Sequence, residues 1–168
     1  VRALAKASRS SVLDSWSGLG YYRRAASLHE AAGLIVRDHG GVFPADPGAR
    51  LPGVGDYTRA AVLSIAYGMP LAVVDTNVSR VLSRIYALKG EASRNAGRLK
   101  ALAQVLLPTG KAGDWNQAMM DLGATVCLPR GPRCGECPWR SACQARKAGL
   151  QDRIPGLPVR RRPVQVRL

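Results

Sequence analysis

The stretch Leu51-Pro52-Gly53-Val54-Gly55, running into the apolar segment Tyr57 to Tyr67, decides how this chain folds. Two glycines flanking one apolar residue permit a sharp reversal, because glycine enters left-handed backbone conformations at little steric cost. The reversal presents successive backbone N–H groups at a helix N-terminus. Those donors and the helix dipole suit an anion, a DNA phosphate being the natural one. Leu51 and Val54 would anchor the turn on flanking helices. An ordinary corner between two helices fits a bare Gly-x-Gly as well, so the surroundings must decide.

Working outward, the surroundings are helical. Before the turn, Ala25, Leu28, Ala32 and Ile35 recur at three- and four-residue steps between Tyr21 and Asp38. His39-Gly40-Gly41 ends that helix, as glycine commonly does at a helix C-terminus. Further upstream Val12, Leu13 and Trp16 form a short apolar face that Ser10 or Ser11 is placed to cap. After the turn, Pro70 breaks the apolar segment and Asp75 begins another helix with Val78, Val81, Leu82 and Ile85 on one face. Leu99 to Leu107 and Trp115 to Val126 add two more. Leu71 to Val74 is too short to count as a strand. The expected fold class is all-α.

The 168 residues carry a formal net charge of +14, which points to a polyanionic partner. From Arg130 to the end, ten Lys and Arg face only Glu136 and Asp152. A basic, proline-punctuated linker is expected over 151–168. No apolar run reaches the roughly 18 residues of a membrane-spanning helix, and the start lacks the apolar core of a secretory signal. Absence of an initiator methionine suggests a chain that begins inside a longer protein. The division expected is a helical lobe over 1–112, a helix with a cysteine loop over 113–150, and the linker.

All four cysteines, Cys127, Cys134, Cys137 and Cys143, fall in one 17-residue window with the spacing C-x6-C-x2-C-x5-C. Such crowding reads as a metal site rather than as staples between distant segments. Structural zinc usually takes two close pairs, and here only Cys134 and Cys137 form one. An iron–sulfur cluster accommodates four thiolates at uneven spacing; zinc is the alternative. Arg130, Arg133 and Arg140 in the same loop would then form a basic surface.

Taken together these elements resemble the adenine DNA glycosylases (MutY type) of the helix–hairpin–helix, endonuclease III superfamily. The resemblance is carried by Trp16-Ser17-Gly18-Leu19-Gly20-Tyr21-Tyr22-Arg23-Arg24-Ala25, by Leu51 to Thr58, and by Val74-Asp75-Thr76-Asn77-Val78. Asn116-Gln117-Ala118-Met119-Met120-Asp121-Leu122-Gly123 and the cysteine loop follow, in the family's order. It implies a helix–hairpin–helix glycosylase fold, a six-helix lobe plus a [4Fe–4S] lobe, truncated at both ends and incomplete at the N-terminus. It implies a [4Fe–4S] cluster on Cys127, Cys134, Cys137 and Cys143. It also implies phosphate contacts from Leu51, Pro52, Gly53, Val54, Gly55 and Thr58, and double-stranded DNA with a mismatch or lesion as partner.

The implied activity is hydrolysis of the N-glycosidic bond of adenine opposite 8-oxoguanine or guanine. Asp75, Asn77 and Tyr57 are the candidate catalytic residues. A carboxylate near the sugar stabilises the oxocarbenium-like charge that bond cleavage leaves; alone, Asp75 reads equally as a plain helix cap. Tyr57 stands where bifunctional relatives carry a nucleophilic lysine, so a Schiff-base lyase step is not expected. Thr76 stands where many family members have glycine. The family's proton-donating glutamate lies in a segment before the region seen here, so Glu30, Glu91 and Glu136 are not expected to replace it and the chain alone is expected to be inactive. Arg23, Arg24, Arg59 and Arg80 are possible phosphate contacts or solvated charges. The alternatives are an endonuclease III-like pyrimidine-lesion glycosylase and a non-catalytic DNA-binding fragment. A monomer in the bacterial cytoplasm, associated with the nucleoid, completes the expectation.

Overall fold

The computed structural model describes residues 1–156, and every regular element among them is helical. The helices are α1 (Arg2–Lys6), α2 (Arg9–Ser15), α3 (Tyr22–Asp38), α4 (Asp56–Tyr67), α5 (Thr76–Ile85), α6 (Ala96–Val105), α7 (Ala112–Thr125) and α8 (Gln144–Lys147), with a 3-10 turn at Ala92–Asn95. The basic stretch expected at 151–168 lies, beyond residue 156, outside the described residues. The chain divides into two compact units, Val1–Tyr67 and a second from Gly68 onward. The boundary expected at residue 112 therefore falls inside the second unit, because α7 packs extensively on α5.

In the first unit, α3 is the spine. Ala25, Ala31, Ala32 and Ile35 are its buried residues, whereas Leu28 is half-exposed, so the inward stripe lies slightly round the helix from the expected one. The helix stops as its sequence suggests: the N–H groups of His39 and Gly41 both donate to the Ile35 carbonyl, with Gly40 and Gly41 at φ 61° and 87°. Ser8, not Ser10 or Ser11, caps α2, its hydroxyl accepting from the Ser11 N–H at 3.1 Å. The cap position is set by where the chain leaves α1, a five-residue helix with no apolar period to announce it. Leu51 joins Ala31 and Ile35 in a small core against which Leu34, Phe43 and Val54 pack. Both apolar residues of the hairpin are thus its anchors.

The second unit is built round α5. Val78, Val81, Leu82 and Ile85 are all buried and share one core with Leu88, Leu99, Ala103 and Met119. Asp75 caps this helix. Contact between α5 and α7 is close enough that glycine is obligatory at 123: a Cβ there would lie 2.6 Å from that of Asn77. Side chains that stand apart elsewhere would collide at this crossing.

A hairpin, a capped aspartate and four cysteines

The hairpin closes by a single bond, from the Val54 N–H to the Leu51 carbonyl at 3.1 Å. Gly53 takes φ +71°, and a Cβ on it would approach the Ser27 Cβ to 2.6 Å. Leu51 is buried, Pro52 and Val54 are half-buried, and Gly53 and Gly55 are exposed. Behind them, Tyr57 and Thr58 stand exposed on the first turn of α4. The helical ladder starts at once, the Arg59 N–H donating to Gly55 at 2.9 Å. Asp56 occupies the same first turn, and its carboxylate is met by Arg59 at 2.7 Å and Arg50 at 3.5 Å. Both cations offset a negative charge where an anion would approach.

Asp75 and Asn77 belong to the second unit. One carboxylate oxygen of Asp75 accepts from the Val78 N–H at 2.7 Å, and the other from the Asn77 amide at 3.3 Å. The carboxylate is therefore fixed in orientation, and it is only partly buried. Asn77 in turn accepts from Arg80 at 2.8 Å, and that guanidinium also donates to the carbonyls of Cys127 and Gly123. Burial lowers the pKa of Arg80 from its ordinary value, the neighbouring Cys127 opposing that shift. Arg80 is thus committed inside the unit instead of reaching for phosphate. Arg59 is similarly occupied, by Asp56 and the Ala49 carbonyl, whereas Arg23 and Arg24 stay exposed.

The four cysteines line one cavity with Val81, Ile85, Trp139 and Arg84 among its walls. Trp139 meets Trp115 edge-on at 6.3 Å between ring centres, which closes the apolar side. Burial pushes the Cys134 and Cys137 thiols up, and the neighbouring cysteines add to the shift. No three His, Cys, Asp or Glu side chains among the described residues converge on a position that would hold a metal ion. The four thiols share one cavity.

Sequence reasoning missed Arg84. Only 2% exposed, it donates to the carbonyls of Ile154 (2.8 Å), Leu128 (2.6 Å) and Pro129 (3.1 Å) and to the Cys127 sulfur (3.3 Å). It stitches the cysteine loop and the 150–156 segment to α5. The signal available was an arginine one turn past Arg80 on an otherwise apolar helix face.

With this geometry in view, the comparisons with known proteins are specific. Residues 1–108 match the HhH-GPD superfamily of base excision DNA repair proteins, and the chain belongs to that family. It is similar to the adenine DNA glycosylase of Homo sapiens (44% identical over 90% of this chain and 29% of that protein) and to that of Mycobacterium tuberculosis (48% over 83% and 49%). The chain thus spans between 29% and 49% of the length of these relatives. Among solved structures, a thermostable thymine-DNA glycosylase superposes with a TM-score of 0.79 at 35% identity, over 88% of this chain and 70% of that one. An endonuclease III–DNA complex superposes at 0.74 with 23% identity, a likeness of fold.

Proposed function

We propose that this chain serves base-excision repair as part of a monofunctional adenine DNA glycosylase, acting on adenine opposite 8-oxoguanine or guanine in double-stranded DNA. The observation that carries this reading is Asp75: a partly exposed carboxylate, oriented by a backbone N–H and an asparagine at the start of α5. Its setting is a chain 38–48% identical to adenine DNA glycosylases.

In the reaction, the bond between C1′ and the adenine nitrogen breaks, and its electron pair leaves with the base. Adenine must receive a proton to leave as a neutral molecule, and water then adds to C1′ and releases a proton. Positive charge builds on the sugar in between. A carboxylate held in place before that charge develops stabilises it without having to reorganise. Asp75 supplies this and Asn77 keeps it aimed; Tyr57, exposed on the first turn of α4, is the third candidate for the reaction. The target base must first leave the duplex stack. The hairpin from Leu51 to Gly55, with Thr58, grips the backbone without reading sequence, as a lesion scanner requires.

Cys127, Cys134, Cys137 and Cys143 would hold a [4Fe–4S] cluster. Four thiols lining one cavity at the uneven spacing C-x6-C-x2-C-x5-C suit a polynuclear centre better than a lone zinc ion, which usually takes two close pairs. When bound, the cluster supplies a cross-link that orders the loop and its arginines.

The glutamates of this chain are poor proton donors for the base. Glu30 and Glu136 are exposed, and Glu91 is engaged by Ser93 at 3.2 Å and Arg94 at 3.9 Å. None of the three is assigned the acid's role. The test is adenine release from duplexes with adenine opposite 8-oxoguanine, by this chain and by a version extended upstream through a glutamate-bearing helix. Release by the extended protein alone, with no adduct after borohydride, is expected. Equal turnover by both would overturn the assignment of the acid. The 35% identity to a thymine-DNA glycosylase favours a second reading, removal of a mispaired pyrimidine; thymine release from a thymine–guanine duplex, with none of adenine, would establish it instead.

A further inference from the structure

The segment 70–74, which leads from α4 into Asp75, belongs to no helix or sheet, yet it is hydrogen-bonded as an extended chain would be. An extended chain presents the C=O of residue i and the N–H of residue i+2 on one edge, and the next pair on the other. Where such groups are buried, as at Val73, they need partners. Two side-chain amides supply them. From α6, Gln104 donates to the Pro70 carbonyl at 2.9 Å and accepts from the Ala72 N–H at 3.1 Å. From α7, Asn116 donates to the Leu71 carbonyl at 2.8 Å and accepts from the Val73 N–H at 3.0 Å. Each amide does what a neighbouring strand would do, and the two take opposite edges. Asn116 is 2% exposed, whereas Gln104 is exposed and contributes little to packing.

We infer that Gln104 and Asn116 are positioning residues for Asp75: by gripping both edges of residues 70–73 they fix the path by which the chain enters α5, and with it the aim of the Asp75 carboxylate. The inference rests on the reading of Asp75 given above. A helix N-terminus by itself fixes only the cap's local turn. The preceding segment decides how far that turn can rock, and a small misplacement of a catalytic group is expensive.

The test uses binding, so it needs no proton donor. Affinity of the full chain is measured for two duplexes, one carrying a cationic pyrrolidine in place of the target deoxyribose and one carrying neutral tetrahydrofuran. A group aimed at developing positive charge prefers the cationic analogue. Asp75→Asn should abolish that preference. Gln104→Ala and Asn116→Ala should cut it by about tenfold or more while leaving affinity for the neutral duplex unchanged, and amide exchange at Ala72 and Val73 should quicken. Gln104, being exposed, can be truncated without endangering the fold, so it decides the matter if Asn116→Ala unfolds. If Asp75→Asn loses the preference while Gln104→Ala keeps it, the positioning role is overturned and Asp75 stands. If Asp75→Asn keeps the preference, or the neutral duplex is not bound at all, the reading of the site fails first and takes this inference with it.

Discussion

Replacing Gly53 by alanine should damage this protein in two separable ways. The residue sits at φ +71°, where an L side chain is strained, and the new Cβ would stand 2.6 Å from the Ser27 Cβ on α3. The left-handed backbone costs a non-glycine residue about 1–2 kcal/mol. Forcing a methyl group into an occupied contact costs about 1–3 kcal/mol more, since a helix-borne Cβ yields only by moving backbone. The sum is about 2–5 kcal/mol, a large share of the ~5–15 kcal/mol by which a domain is stable. Gly55→Ala provides the contrast: its φ is not positive and nothing lies within 4 Å of the added methyl. Urea unfolding followed by circular dichroism measures the loss, and the salt dependence of DNA affinity reports whether the hairpin still grips phosphate. Combining Gly53→Ala with Ser27→Gly should recover the steric part and leave the conformational part. If Gly53→Ala proves as harmless as Gly55→Ala, or if Ser27→Gly restores nothing, the account of the hairpin is wrong.

Other perturbations follow from the surroundings of Arg84, Gly123 and Gly33. Arg84→Met should destabilise by about 3–5 kcal/mol and, on the cofactor reading proposed above, lower the iron and sulfide content per chain, because one buried and two part-buried carbonyls lose their donor at once. Arg84→Lys should rescue little, a point charge being unable to serve divergent acceptors as a planar fork does; full rescue in the same denaturation assay would contradict this. Gly123→Ala, whose methyl would strike the Asn77 Cβ at 2.6 Å, should cost about 1–3 kcal/mol. Gly33→Ala, inside α3 with nothing within 4 Å, should instead gain about 0.5–1 kcal/mol of stability; opposite signs in thermal unfolding are the check.

Features governed by neighbours in sequence were legible in it. The buried face of α5 follows from the spacing of Val78, Val81, Leu82 and Ile85, and the cap at Asp75 from an acceptor placed just ahead of that face. The stop after Asp38 follows from two glycines, and the shared cavity from four crowded cysteines. These signals act within a turn or two of helix, so the residues that carry them also carry their partners. Tertiary structure alone decided the rest. Arg84 finds acceptors 44 and 70 residues away, and Asn116 takes hold of backbone 43 to 45 residues back. Nothing in either residue's vicinity marks those partners. The same distinction separates Gly53 from Gly55, alike in sequence, since only one of them faces another helix. Local periodicity determines which side of a helix is apolar; what a buried polar group must be paired with depends on which distant backbone the folded chain brings beside it.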